Sequence, residues 1–360
     1  MILSRLRHSA ATGVLAMVMA ACGSPAATTP TALPAASTPT PGMMMPSSAM
    51  NMGGHDMTPV DASGAASASP DARGGQLLPF TRDGDVKVFE ITPQVARWYI
   101  LPGVEIGAYT YNGTLPGPTI HVTAGDRARF VVTNQLTEPT TIHWHGLQVP
   151  NDQDGPAEVT QPPIQPGETY TYEYTVPDTP GTYFYHTHYA VDRQQALGLY
   201  GAYLIEPKTP ETGYAVDYTV MLGEWTILGG QTYPAMDMSG MQPNYFTING
   251  KSYPATETIH VKVGDRVRLR LIGSGQFIHP MHLHGQPFTI IATDGNPVPE
   301  GAQWVKDTVL VGPGERYDVE FVARAPGKWL FHCHINHHTT NNGAEDEGAG
   351  GLTMIVNVAP

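Results

Sequence analysis

Short runs of β-branched and aromatic residues recur along the chain, each closed off by glycine or proline. Residues 86–91, 127–132 and 266–272 are examples. The apolar positions alternate with polar ones at a period of two, and no long stretch carries the three-to-four spacing of an amphipathic helix. With 39 glycines and 33 prolines serving as turn residues, the pattern predicts an all-β protein of sandwich or barrel type.

The pattern also repeats. Gly125-Asp126-Arg127-Ala128-Arg129-Phe130 is echoed by Gly264-Asp265-Arg266-Val267-Arg268-Leu269. Pro166-Gly167-Glu168 leads through a tyrosine-rich strand to Gly181-Thr182-Tyr183-Phe184-Tyr185-His186. Pro313-Gly314-Glu315 leads likewise to Gly327-Lys328-Trp329-Leu330-Phe331-His332. Two copies predict two similar β domains, at residues 76–208 and 209–360, joined near Glu206-Pro207-Lys208-Thr209-Pro210. A length of 360 residues suits two domains. The formal charge of −13 argues against a nucleic-acid partner, which needs a basic face.

The first 75 residues read differently. Arg5 and Arg7 precede a short apolar stretch at residues 10–21, a targeting segment too short to span a bilayer. It ends in Met19-Ala20-Ala21-Cys22-Gly23, which resembles a bacterial lipobox. The resemblance implies cleavage before Cys22, lipidation of its thiol and a membrane-anchored, extracytoplasmic protein. An ordinary secretory signal cut near the same place is the alternative. Residues 23–75, rich in Pro, Ala, Ser, Thr and Met, read as a disordered tether. It carries Met43, Met44, Met45, Met50, Met52, His55 and Met57. Thioethers suit Cu(I), so this tract is either a copper-capturing segment or a compositionally biased linker. With Cys22 lipidated, Cys333 is the only free thiol of the mature chain. A lone thiol in an oxidising compartment is a liability unless something occupies it.

Ten of the fifteen histidines fall into four clusters, two per repeat: His143-Trp144-His145, His186-Thr187-His188, His279-Pro280-Met281-His282-Leu283-His284, and His332-Cys333-His334 with His338. On a strand, residues i and i+2 share a face. Each His-x-His therefore offers two imidazoles side by side. His143, His145, His186, His188, His282, His284, His332 and His334 form four such pairs, and buried imidazoles left without partners are costly. Cys333 points to the opposite face, where His279 and His338 can join it. Two histidines and a thiolate form the ligand set of a blue-copper site, and the backbone ties it to the imidazole pair behind. Zinc would explain an isolated pair but not this constellation. His8, His55, His121, His260 and His337 read as non-ligands.

Over residues 80–360 these motifs resemble the multicopper oxidases, the laccase-like family built of cupredoxin domains. The resemblance implies four copper ions per chain. His279, Cys333 and His338 would bind the type 1 ion, His143 and His282 the type 2 ion, and His145, His186, His188, His284, His332 and His334 the type 3 pair. It implies one-electron oxidation of a reductant coupled to reduction of O2 to water. That reductant is read as a phenol or aromatic amine. Cu(I) or Mn(II) is the alternative, with Glu345, Asp346 and Glu347 as ligands. A non-catalytic copper store or electron carrier is the reading from another class. The first domain has no cysteine, which matches the two-domain, small-laccase-like group and not the copper nitrite reductases. In that group the trinuclear cluster lies between subunits of a homotrimer.

Two departures matter. The family's axial type 1 position falls on Gly343, and residues 341–348 look inserted, which moves that position to Leu352, with Met354 as the competitor. Asp154 matches an acidic residue that relatives carry after the first His-x-His and would deliver protons, although an Asp-Gly turn also explains it. Thr339 stands where some relatives have a further acid.

Overall fold

A computed structural model describes residues 56–235, 242–346 and 348–360. The copy-number reading of the sequence appears directly in the sheets. In the first half, Phe80–Asp83, Val86–Ile91, Arg127–Thr133 and Thr169–Thr175 form one sheet. Gly117–Thr123, Tyr200–Glu206, Gly181–His186 and His143–His145 form the other. The second half repeats the plan. Val216–Leu228 runs parallel to Arg266–Gly273, as Val86–Ile91 does to Arg127–Thr133. Thr258–Lys262 runs parallel to Thr353–Ala359, as Gly117–Thr123 does to Tyr200–Glu206. The architecture is all-β, as the alternating pattern predicts.

Each sandwich closes over its own core. The first is aromatic: Phe89, Phe130, Trp144, Tyr172, Tyr185 and Tyr203 are fully buried in it. The second is mainly aliphatic, with Val220, Leu269, Leu271, Leu283, Val319 and Val356 joined by Phe246, Phe288, Phe321 and Phe331. A third core joins them. The hairpin of Pro93–Leu101 and Val104–Tyr111 brings Trp98, Ile100, Ile106 and Ala108 against Met221, Trp225 and Ile272 of the second half. Polar contacts cross the same junction: Arg270 Nη1 donates to Thr182 Oγ1 at 2.9 Å, and Thr182 Oγ1 donates to Asp318 Oδ1 at 2.6 Å.

The tether expectation needs correction at its C-terminal end. Residues 56–75 lie on the body of the protein. Met57 is buried, Val60 N–H donates to Thr232 O at 2.9 Å, and Ala68 N–H donates to Arg97 O at 2.8 Å. Backbone pairing and two apolar anchors hold a segment whose small polar composition gives no periodic signal. Cys22 and the Met/His-rich residues up to His55 lie outside the described residues. Met57 is packed away and offers no thioether to a tether site.

Candidate metal centre

The strand Gly327–Cys333 lies between Thr353–Ala359 and His279–Leu283. Its register pairs Cys333 with Met281 and His332 with His282. Directly opposed residues of an antiparallel pair share a face. Cys333, Phe331, Met281, Leu283 and His279 therefore point into the second core, while His332 and His282 point outward. His338 returns to the Cys333 side from the turn Asn336–Thr339.

The result is a buried trio. Cys333 Sγ lies 3.5 Å from His338 Nδ1 and 3.9 Å from His279 Nδ1, and the two Nδ1 atoms are 3.2 Å apart. Cys333 and His279 are fully buried and His338 nearly so. The trio is held from behind. His279 Nε2 donates to the buried carboxylate of Glu224 at 2.5 Å, and the His338 ring stacks on Phe246 with centroids 4.2 Å apart. With Nε2–H committed to Glu224, the Nδ1 lone pair of His279 faces the sulfur. Burial pushes the Cys333 thiol up to about 12, and Glu224 adds to the shift. Burial pushes His338 down to about 3, helped by His279 and His337. A buried thiol beside two imidazoles fits a metal that displaces the thiol proton. Among divalent and monovalent ions, two imidazole nitrogens and one sulfur suit copper.

The outward face carries imidazoles in two quartets. In the first half, His143 pairs with His186 across the strands. The His143 ring lies 5.6, 5.3 and 5.4 Å from the rings of His145, His186 and His188. In the second half, the His282 ring lies 5.0, 5.8 and 5.7 Å from those of His284, His332 and His334. Carbonyls orient four of the eight rings through Nδ1: Asp154 O for His143 at 2.8 Å, Thr187 O for His186 at 2.7 Å, Asp307 O for His282 at 2.8 Å and Cys333 O for His332 at 2.9 Å. Each leaves an Nε2 lone pair for a metal. Burial lowers His143, His186, His284 and His332, and brings His145 to about 3, where Arg316 of the second half adds its charge. Arg316 comes so near that a Cβ on Gly146 would sit 2.4 Å from Nη2. Ring contacts join members within each quartet; among the described residues none joins one quartet to the other.

The remaining sequence candidates also have definite places. Asp154 lies beside His143, its carbonyl nearest and its carboxylate 3.4 Å from Nδ1. Gly155 follows at φ +99°, and a Cβ there would be 1.9 Å from Ile142 O, so the Asp-Gly turn itself seats the carbonyl. Leu352 and Met354 are both fully buried in the Cys333 core. Leu352 O accepts from Cys333 N–H at 3.0 Å, while Met354 pairs with Phe331. His337 is exposed, its ring 4.3 Å from that of His338.

Glu224, Asp307 with Thr308, Met281 and Arg316 went unnoticed in the sequence. Thr308 sits opposite His282 in the register and its Oγ1 is 3.0 Å from His282 Nδ1. Asp307 is thus the second-half counterpart of Asp154, a relation that only a strand-level alignment of the two repeats would reveal.

Two family models, both described as multicopper oxidase, match residues 94–210 and 230–344. The blue copper oxidase from Nitrosomonas europaea is 37% identical, with a TM-score of 0.69 over 75% of this chain and 85% of its own. The chain belongs to the multicopper oxidase family. This multicopper oxidase also superposes on the oxidase mgLAC, at 35% identity and a TM-score of 0.68 over 76% of this chain and 87% of that one. Multicopper oxidase MmcO of Mycobacterium tuberculosis is 34% identical over 65% of this chain and 51% of its own length. Laccase-3 of Thanatephorus cucumeris is 38% identical over 58% and 41%. The chain spans about half the length or less of the curated relatives it matches. Membership implies copper, and each sandwich is of the cupredoxin kind.

Proposed function

We propose that this multicopper oxidase takes electrons singly from a reductant and uses four of them to reduce O2 to two waters. One observation carries the reading. Cys333 closes a buried His2Cys trio on one face of its strand, and its two neighbours, His332 and His334, enter an imidazole quartet on the other. An electron received on the sulfur side reaches the imidazole side through a few covalent bonds. His279, Cys333 and His338 would hold a type 1 ion, His143 and His282 a type 2 ion, and His145, His186, His188, His284, His332 and His334 a type 3 pair, four copper ions per chain in all. Copper, when bound, supplies the one-electron redox steps and the reduction of O2. The chain supplies the rest. Glu224 fixes His279, the carbonyls of Asp154 and Asp307 fix His143 and His282, and the Asp154 carboxylate is placed to pass protons toward the His143 side.

Leu352 is the reading for the axial position, because its carbonyl accepts from Cys333 N–H while Met354 lies two pairs further along, opposite Phe331. The two quartets have to meet to make one cluster, so two chains are needed, and a closed ring of three is the proposed assembly. Exposed apolar residues beside the quartets support such a contact: Val159 follows Asp154, and Trp304, Val305 and Leu310 flank the strand edge at His282. The signal segment supports an extracytoplasmic location with a lipid anchor at Cys22.

A phenol or aromatic amine fits the surface over the trio, where exposed His337 stands edge-on to Phe246 at 5.6 Å. Exposed Glu345 and Asp346 nearby favour Cu(I) or Mn(II) as the second reading. A simple electron carrier would need only the trio, and the eight further imidazoles oppose it. Purified copper-loaded protein is expected to show an intense blue thiolate band, four copper ions per chain, a trimer mass and oxygen uptake with a phenolic dye. Kinetics on a phenol, Cu(I) and Mn(II) separate the substrate classes. One metal per chain without the blue band would end the proposal.

A further inference from the structure

We infer that the aromatic core of the first half is an electron-hole escape route, running from the His143–His145 pair through Trp144 and Tyr172 to Tyr170 at the surface. The inference rests on the oxidase reading, since it concerns what happens when the imidazole side meets a strong oxidant and no electron arrives from Cys333.

The geometry is continuous. Trp144 is bonded through the backbone to His143 and His145, and its side chain points inward, away from their face. Its ring lies 5.3 Å from Tyr172, edge to face, and Tyr172 lies 4.8 Å from Tyr170. Tyr170, Tyr172 and Tyr174 occupy alternate positions of the strand Thr169–Thr175 and so share one face. Trp144 and Tyr172 are buried, whereas Tyr170 is partly exposed. Indole and phenol are among the side chains that give up an electron most readily.

The Tyr172 hydroxyl accepts from Ile142 N–H at 3.0 Å, but packing alone does not explain Trp144, because the molecule contains its own control. The second half has the same fold, and at the position of Trp144 it carries Leu283, between His282 and His284. Its buried core has no tyrosine or tryptophan, with Tyr218, Tyr317 and Trp329 only half-buried against it, while the first-half core has seven tyrosines and Trp144. A filling of aliphatic residues and phenylalanine serves the second sandwich. The aromatic one also leaves polar atoms stranded: Trp144 Nε1 and the Tyr111 hydroxyl are buried without a hydrogen-bond partner. Phenylalanine or leucine would avoid that cost.

A one-electron oxidant derived from oxygen, formed or trapped at the first quartet, takes one electron from Trp144 and leaves an indole radical cation, which needs no proton acceptor. Tyr170 reduces it across the bridging ring of Tyr172, giving up one electron and its phenolic proton. The proton passes to solvent water at the exposed end. A one-electron reductant in solution then restores Tyr170, taking one proton back from water. The net effect is that the oxidant is discharged by an external electron without damage to a metal-binding imidazole.

The test uses the holoenzyme, freeze-quenched after hydrogen peroxide is added with no reductant present, and reads radicals by electron paramagnetic resonance. Wild type is expected to give a tyrosyl signal. Tyr170→Phe is expected to lower it severalfold and to shorten the half-life of activity in peroxide, with normal blue absorption and turnover before exposure; Tyr172→Phe, which also leaves Ile142 N–H without its acceptor, is expected to lower the radical yield likewise. A copper-free sample oxidised by a photogenerated ruthenium(III) complex gives the same comparison without the copper sites. An unchanged tyrosyl yield in both variants, or a wild type that yields no tyrosyl radical under either oxidant, overturns the route. Loss of the route with intact oxygen uptake leaves the oxidase reading standing, whereas absent copper removes that reading instead.

Discussion

Glu224→Gln isolates the contribution of one buried carboxylate to the Cys333 trio. The Glu224 side chain is almost wholly buried, and it receives His279 Nε2–H at 2.5 Å and the backbone N–H of Gln276 at 3.2 Å. Glutamine keeps the shape and an acceptor oxygen but loses the charge. A charge-assisted hydrogen bond is roughly twice as strong as a neutral one, and the difference is about 1–2 kcal/mol. The carboxylate makes His279 a better electron donor and stabilises the oxidised ion more than the reduced one. Its loss should therefore raise the potential of the thiolate site. For a one-electron couple, at about 59 mV per tenfold change in equilibrium constant, this corresponds to about 40–90 mV. The assay is a redox titration that follows the blue band. The control is the melting temperature of the copper-free variant, which should fall by no more than the loss of one bond, because the single amide oxygen of glutamine can keep the His279 bond while its NH2 cannot accept from Gln276 N–H. A potential that stays put or falls, with the blue band intact, would refute the reasoning that Glu224 acts through His279.

Leu352→Met should lower the same potential by adding axial donation, and an unchanged value would assign the axial place to another residue. Gly155→Ala cannot keep its backbone, given the 1.9 Å approach to Ile142 O. It should displace the Asp154 carbonyl from His143 and reduce copper per chain, as read by elemental analysis, while the blue band persists. Trp225→Ala empties a fully buried site in the core that joins the halves and should cost about 3–5 kcal/mol in unfolding free energy, measured by chemical denaturation. In copper-free protein, His145 and His338 are held near 3 against an ordinary 6.5. The unfolded chain then binds more protons below 6.5, so stability is present above that value and drains away as pH falls toward 3, by up to about 1.4 kcal/mol per pH unit and per ring. Melting curves that are flat across this window would contradict the burial of these rings.

The readable part of the protein is what a single strand encodes. Alternation around Cys333 told which side chains face inward and which outward, and it needed no knowledge of neighbouring strands. The duplicated Gly-Asp and Pro-Gly-Glu turns gave two sandwiches for the same reason. Groups that meet only through the sheet were out of reach. Glu224 and His279 are 55 residues apart, and Asp307 and His282 are 25 apart; the packing of one sheet on the other brings the first pair together, and strand register the second. Met281 stands across from Cys333, a neighbour that its place in the sequence between His279 and His282 does not reveal. The stretch at residues 56–75 was read as unstructured because it folds by lending backbone groups to an edge, which leaves no trace in hydropathy.

The separation of the two imidazole quartets within one chain has a consequence for when the protein becomes reactive. If the cluster forms between copies as proposed, a solitary chain would hold two incomplete halves of an oxygen-reducing centre. Such a chain would be dormant toward oxygen however well it had folded. Chemistry would switch on with encounter between copies, so local abundance sets a threshold that no change in the individual molecule can replace.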